Sequence, residues 1–224
     1  MTTLVTALYA EGRTDERFLP VLLQRSMTDW LARHANRVVD VLEPFVVNSS
    51  VEGGRDERIL AVAQQVKGYH LLFVHADADD DSSRRAYAER IAPGLALVSD
   101  ALSKGLPVCA ELIPVIPVQQ VEAWLLADAA SLCKVIGTSL SPDDLSIPLR
   151  ADEIERTANP KQRLRDIMRA AYASRPRRRR AAELGELYEP LANQVRLAAL
   201  ERLPAYQDYL RDLDAVLRRL HFIA

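Results

Sequence analysis

The apolar positions of this chain fall first into short runs of strand length and later into helical stripes. Leu4 to Tyr9 form the first run, which ends at Ala10-Glu11-Gly12. A helix is predicted next. Thr14 suits its N-cap, Asp15 and Glu16 suit the positive end of its dipole, and Phe18, Leu19, Val21, Leu22 and Leu23 give it an apolar side. Pro20 is tolerable so near a helix start. Val38 to Val47 read as a second strand interrupted by Pro44, which marks an edge or a bend. Ile59, Leu60, Ala63 and Val66 then recur at helical spacing within Arg55 to Val66. Leu71 to Val74 are a third strand, running into His75-Ala76-Asp77-Ala78-Asp79-Asp80-Asp81. A helix led by Ser82 and Ser83 is predicted to run to about Ser103, burying Tyr87, Ile91, Leu95, Val98 and Leu102, with a break or kink at Pro93-Gly94. Pro107 to Val118 are a fourth strand.

Strands alternating with helices predict an α/β fold, with a mostly parallel four-stranded sheet covered on both faces and right-handed crossovers. Beyond residue 118 the pattern turns helical: Gln119 to Leu126, Leu132 to Ile136, Lys161 to Ala173, Arg178 to Leu203 and Tyr206 to Leu220. Residues 138–160 read as loop, with Pro142, Pro148 and Pro160. The expected organisation is an α/β domain over residues 1–130, with a helical C-terminal extension over 131–224 packed on it.

Composition narrows the function. Hydrophobic residues at 49% and charged residues at 27% describe an ordinary globule with a proper core. A formal net charge of −2 excludes a strongly basic nucleic-acid binder, so any such contact would use a local patch. Cys109 and Cys133 have neither metal-ligand spacing nor enough companions for a disulfide framework, which fits a reducing compartment. With no basic n-region at the start and no apolar run of about 18 residues, the expectation is a cytoplasmic protein with no membrane contact.

The candidate chemistry is acidic. Parallel strands bring their carboxyl ends to one rim, where ligands of open α/β sheets bind. Glu11 would end the first strand, Asp77 and Asp79 the third, and Glu122 lies just past the fourth. Asp77 and Asp79, two apart, would point to one side if strand geometry continues. Crowded carboxylates suit Mg²⁺ or Mn²⁺, since Mg²⁺ takes one or two carboxylates and completes its shell with waters and substrate phosphates. A second ion about 4 Å away would clamp both oxygens of a phosphodiester exchange.

Glu11-Gly12-Arg13-Thr14-Asp15-Glu16, followed by a strand ending in Asp77-Ala78-Asp79, resembles the TOPRIM domain of topoisomerases, bacterial primases and the overcoming-lysogenisation-defect nucleases. Val121 to Asp128 and Asn159-Pro160-Lys161 are similar to a compact TOPRIM-like bacterial family often encoded beside an ATPase. The resemblance spans roughly residues 3–128, and more loosely as far as 165. It implies Glu11 as metal ligand or general acid/base, Asp77 and Asp79 as metal ligands, and Asp15 as a second-site ligand. It further implies Glu122 as an acidic ligand and Lys161 as a catalytic residue that stabilises charge on the phosphate. The activity implied is a Mg²⁺- or Mn²⁺-dependent nuclease acting on nucleic acid, DNA above all, in mobile-element defence or repair. The chain has no Gly-x-x-x-x-Gly-Lys-Ser/Thr run, so an ATP-driven step would need a separate ATPase subunit.

Each residue also has a plainer role open to it. Glu11 and Asp15 suit a helix dipole, the aspartate run suits a solvated loop, and Asp80 and Asp81 suit a helix N-terminus. Glu122 suits the polar position of an amphipathic helix, Lys161 a first-turn site, and His75 a structural position. Arg175, Arg177, Arg178, Arg179 and Arg180 form a basic cluster that would hold phosphates of a nucleic acid or serve as a solvated linker. The C-terminal helices would make a lid, a partner surface or a homodimer interface. Two other functions stay open: a non-catalytic metal- or nucleic-acid-binding subunit of an ATPase complex, and a phosphatase with Asp77 as nucleophile.

Overall fold

The computed structural model describes residues 2–173 and 183–224. The protein is α/β, and every strand pairing among the described residues is parallel. The first apolar run is divided between the end of β1 (Thr2–Leu4) and β2 (Thr6–Tyr9), and β3 (Val39–Val41) and β4 (Phe45–Val46) are two pieces of the second. β1 pairs with β3, while the main sheet has the order β4-β2-β5-β6, with β5 at Leu71–His75 and β6 at Leu112–Val115. β2 and β5 run side by side with Leu8 opposite Phe73 and Tyr9 opposite Val74.

Helix α1 (Asp15–His34) covers one face of the sheet. α2 (Arg55–Gln65) and α4 (Ala92–Ser103) cover the other, where Ile59, Val62 and Ala63 meet Ile91, Val98 and Ala101. The chain therefore leaves β2 for one face and β5 for the opposite face. That divergence makes the gap between the carboxyl ends of β2 and β5 the topological switch point, where α/β sheets bind ligands.

The segment predicted as one helix from Ser82 to Ser103 is a short α3 (Ser83–Ala86), a π-helical turn (Tyr87–Ile91) and α4. Ser82 caps it, its Oγ accepting from Arg84 N–H at 3.3 Å. The π-turn interrupts the 3.6-residue phase on which the predicted stripe was drawn. Ile91 and Val98 are buried as expected, whereas Tyr87 and Leu102 are exposed. Gly94 follows because α4 lies hard against α2: a Cβ there would sit 2.6 Å from Ile59 Cδ1.

Past β6 come α5 (Glu122–Leu126), α6 (Ala129–Ile136), α7 (Ala151–Glu155), α8 (Pro160–Ala171), α9 (Tyr188–Gln194), α10 (Leu197–Leu200) and α11 (Pro204–Arg219). α7 lies in the stretch predicted as loop. The long helix predicted over 178–203 is broken in its described part by Val195, the extended C-cap of α9. These helices share a continuous core with α1 and the sheet, in which Phe18 and Phe73 join Trp124, Tyr188, Tyr206 and Leu213. Leu125, Leu132, Leu164 and Leu191 supply the apolar stripes that bury them. Among the described residues no helix is long and apolar enough to cross a membrane.

Candidate functional site

Glu11 follows β2 and Asp77 follows β5, so the parallel pairing of those strands sets the two side by side. Glu11 Oε2 accepts a hydrogen bond from Asp77 N–H at 3.0 Å, joining groups 66 positions apart. Gly12 turns the chain sharply after Glu11. Its carbonyl accepts from the N–H groups of both Asp15 and Glu16, at 3.1 and 3.3 Å, and a Cβ on it would lie 3.2 Å from Asp15 Oδ2. Thr14 already has helical angles and makes no capping bond, in contrast to its predicted role, because Gly12 O takes the first free N–H groups of α1 instead.

Beyond β5 the ladder continues along the end of β6 and the segment after it: Ala76 N–H donates to Val115 O and Ala78 N–H to Pro117 O, both at 3.1 Å. It ends in a reciprocal pair, Asp79 N–H to Gln119 O at 2.8 Å and Gln119 N–H to Asp80 O at 3.0 Å. Asp79 and Gln119 both hold left-handed backbone, with φ of +50° and +59°. Such angles are sparsely used by non-glycine residues and concentrate at functional sites. The turn gives the two aspartates different partners. Asp77 Oδ1 accepts from Val121 N–H at 3.0 Å, whereas Asp79 Oδ2 accepts from Arg90 Nη2 at 2.9 Å.

Two arginines that the sequence did not single out complete the rim. Arg90, carried by the π-turn, also donates from Nη1 to Asp77 O at 2.9 Å and lies 3.6 Å from Glu11 Oε1. Arg55, the first residue of α2, donates from Nε to Arg90 O at 3.1 Å and from Nη2 to His75 O. Its Nη1 is 3.9 Å from Glu11 Oε2, and its guanidinium stands over the Tyr9 ring. The only sequence signal for either was a basic residue near a helix start or in a helix next to the acidic loop.

His75 also belongs here. It is fully buried at the end of β5, with Nδ1 accepting from Glu11 N–H at 3.3 Å and lying 3.6 Å from Asp15 Oδ2. Nε2 lies 3.3 Å from Asp77 Oδ1 and completes no hydrogen bond among the described residues. A histidine wedged between two candidate carboxylates fixes where both can point. Asp15 is buried, and that burial is the main reason its carboxyl is pushed up to about 6; His75 opposes the shift, Asp77 and Glu122 reinforce it, and a hydrogen bond from the Gly12 backbone opposes it.

Glu122 is buried in the first turn of α5 and close enough to Asp15 to raise its carboxyl. Its Oε1 accepts from Tyr188 O–H and lies 3.3 Å from Lys161 Nζ. Burial and the neighbouring carboxylate push the Tyr188 hydroxyl well up, so it remains a proton donor to Glu122. Lys161 enters α8 just after Asn159, whose Oδ1 caps the helix by accepting from Gln162 N–H at 2.9 Å. The acidic and basic residues predicted around 122 and 161 thus pair with each other, one step removed from Glu11 and Asp77. Beside them is a cavity of about 720 Å³ lined in part by Thr14, Lys161, Arg165, Met168 and Tyr188. The basic cluster Arg175, Arg177, Arg178, Arg179 and Arg180 lies outside the described residues.

Among the described residues, no three Asp, Glu, His or Cys side chains stand grouped to hold a metal ion. The donor set nonetheless suits a hard divalent cation in kind. Mg²⁺ needs only one or two carboxylates, the rest of its shell coming from waters and phosphates, and Glu11 and Asp77 are the carboxylates at adjoining strand ends that would hold it. Comparison with known proteins adds nothing further, since no family model, curated protein or solved structure matches the chain.

Proposed function

We propose that this chain is a TOPRIM-like, Mg²⁺- or Mn²⁺-dependent phosphodiesterase that cuts nucleic acid, DNA above all, at the rim formed by Glu11, Asp77 and Asp79. The observation that carries the reading is the direct bond between Glu11 and the Asp77 backbone at the switch point of the sheet. A bound divalent cation would supply Lewis-acid activation of the phosphate and its attacking water. Glu11, partly exposed, would take the proton from that water, and Asp77, steadied by Val121 N–H, would offer a ligand oxygen. Asp79 is a further ligand once it parts from Arg90, and Asp15, buried beside His75, is a second-site ligand. Glu122 takes a positioning role in this reading: it holds Lys161, whose half-buried ammonium faces the cavity and can meet a phosphate there.

The test is cleavage of supercoiled and linear DNA with Mg²⁺, Mn²⁺ or EDTA. Cutting should need metal and fall at least about 100-fold in Asp77→Ala and Glu11→Ala, in line with the loss of a general base. Cutting that survives both substitutions overturns the assignment.

One observation favours a second reading. Arg55 and Arg90 already pair with the acidic rim, as befits a non-catalytic nucleic-acid-binding subunit docked on an ATPase. Metal-independent DNA binding, with no cleavage under any condition, would support it. Cytoplasmic location and self-association belong to the same set of proposals.

A further inference from the structure

The two arginines at the rim differ in what they hold. Arg55 is fixed by groups that cannot leave: the carbonyls of His75 and Arg90, and the face of Tyr9. Arg90 is held partly by groups that can. Its fork binds the Asp79 carboxylate and the Asp77 carbonyl at 2.9 Å each, with Glu11 Oε1 at 3.6 Å. It is about one-third exposed and rides on a π-turn, a helical irregularity that recurs at functional sites. The two guanidiniums stand against the Glu11 and Asp79 carboxylates and offset their charge, which leaves the rim a poor attraction for a divalent cation. A cation held by Glu11 or Asp77 would meet the like charge of the Arg90 guanidinium, which lies 3.6 Å from Glu11 Oε1 and binds the Asp77 carbonyl.

We propose that Arg90 makes cation and phosphodiester binding at this rim interdependent, bridging the carboxylates in the free protein and swinging its fork to a phosphate as a divalent cation takes them over. The inference rests on the reading of the rim as a metal centre and adds to it the order of events. Guanidinium and phosphate match in a bidentate geometry, so a phosphodiester offers Arg90 the one exchange partner that repays the loss of Asp79 and Glu11. Once Arg90 turns outward, the cation loses a like charge from its surroundings. Linkage then requires that each ligand tighten the other by the same factor. In this role Arg90 is a positioning residue that excludes a lone cation from the rim and admits it together with substrate. Nothing of the kind falls to Arg55, which is held by two backbone carbonyls and the Tyr9 ring, with Glu11 Oε2 no nearer than 3.9 Å.

The experiment measures Mn²⁺ binding to the full chain by electron paramagnetic resonance, with and without a hydrolysis-resistant phosphorothioate oligodeoxynucleotide. In the wild type, the oligonucleotide should tighten Mn²⁺ by about fivefold or more, the usual lower range of such couplings. Arg90→Gln should bind Mn²⁺ alone more tightly than the wild type, and the oligonucleotide should then add less than about twofold. Arg90→Lys keeps the charge and loses the fork, so it should bind Mn²⁺ as weakly as the wild type yet show little coupling. Equal Mn²⁺ affinity and equal coupling in all three proteins would overturn the role of Arg90 while leaving the metal centre standing. Mn²⁺ binding that is absent, or indifferent to Asp77→Ala, would overturn the metal centre and the inference with it. Thermal unfolding of each variant separates these outcomes from misfolding.

Discussion

Asp15→Asn should make the protein more stable at neutral pH. The wild-type carboxyl is buried beside His75, and it holds its proton up to about 6 instead of the ordinary 3.8. Between those values the unfolded chain has released the proton and the folded chain has kept it. The folded state therefore binds more protons there, and stability falls as pH rises through that window. The difference of about two pK units corresponds to roughly 3 kcal/mol lost by pH 7, at about 1.4 kcal/mol per unit. Asparagine has the same shape, retains a carbonyl for the Gly12 N–H and carries no charge, so about 1–3 kcal/mol should return. Urea denaturation of both proteins at several pH values between 4 and 8 supplies the test. The difference between variant and wild type is the proper readout, because other carboxylates cancel in it. It should start small near pH 4, grow up to about pH 6 and stay level above. A flat difference, or an asparagine variant less stable at pH 7.5, would refute the reasoning. Adding Mn²⁺ separates structure from function: if Asp15 is a second-site ligand, the ion should stabilise the wild type more than the variant and narrow the gap.

Asp128→Ala should destabilise the protein by about 2–3 kcal/mol in urea denaturation, since this buried carboxylate gathers Arg196 Nε at 2.8 Å, Arg196 Nη2 at 2.7 Å and Ser131 Oγ at 2.8 Å. The figure lies toward the lower end for broken buried pairs because Arg196 is largely exposed and regains water. Burial opposes ionisation of Asp128, but hydrogen bonds from Arg196 and Ser131 outweigh it and hold the carboxyl below the ordinary range. Its contribution is therefore present above the unfolded value near 3.8 and is lost as pH falls toward the folded one. Gly94→Ala should lose about 1–2 kcal/mol by the same assay. Its methyl would meet Ile59 Cβ at 2.7 Å, and that overpacking exceeds the roughly 1 kcal/mol gained in helix propensity.

Strand ends were the legible part of this chain. Glu11 and Asp77 each follow an apolar run, and parallel pairing carries such positions to one rim whatever their separation in sequence. What the period of the chain could not show was anything requiring a second element. Arg55 and Arg90 look like ordinary surface charges on their helices, and only the packing of α2 against the π-turn and α4 places them on Glu11 and Asp79. The π-turn is invisible to a 3.6-residue template, which explains why that template puts Tyr87 inside, where the structure buries Ala86, five residues before Ile91. His75 read as structural because alternation set it opposite Ala76. Its place between Asp15 and Asp77 depends on a helix that begins 60 positions earlier. Asp77 and Asp79 were drawn as one strand face, but the left-handed residue at Asp79 ends strand geometry there.

The sheet is also protected against its own kind. β4, at one edge, is only Phe45–Val46, cut short by Pro44. β6, at the other edge, carries Pro114, which has no N–H to offer a further strand, and α11 ties down there through Arg219 to Glu111 at 2.7 Å. Neither edge is a good template for adding a strand, which disfavours both edge-to-edge aggregation and capture of an extended peptide. Any partner is thus directed to helical faces or to the acidic rim. A peptide inhibitor for this protein should accordingly be built as a helix, since a β-strand mimic would find little to pair with.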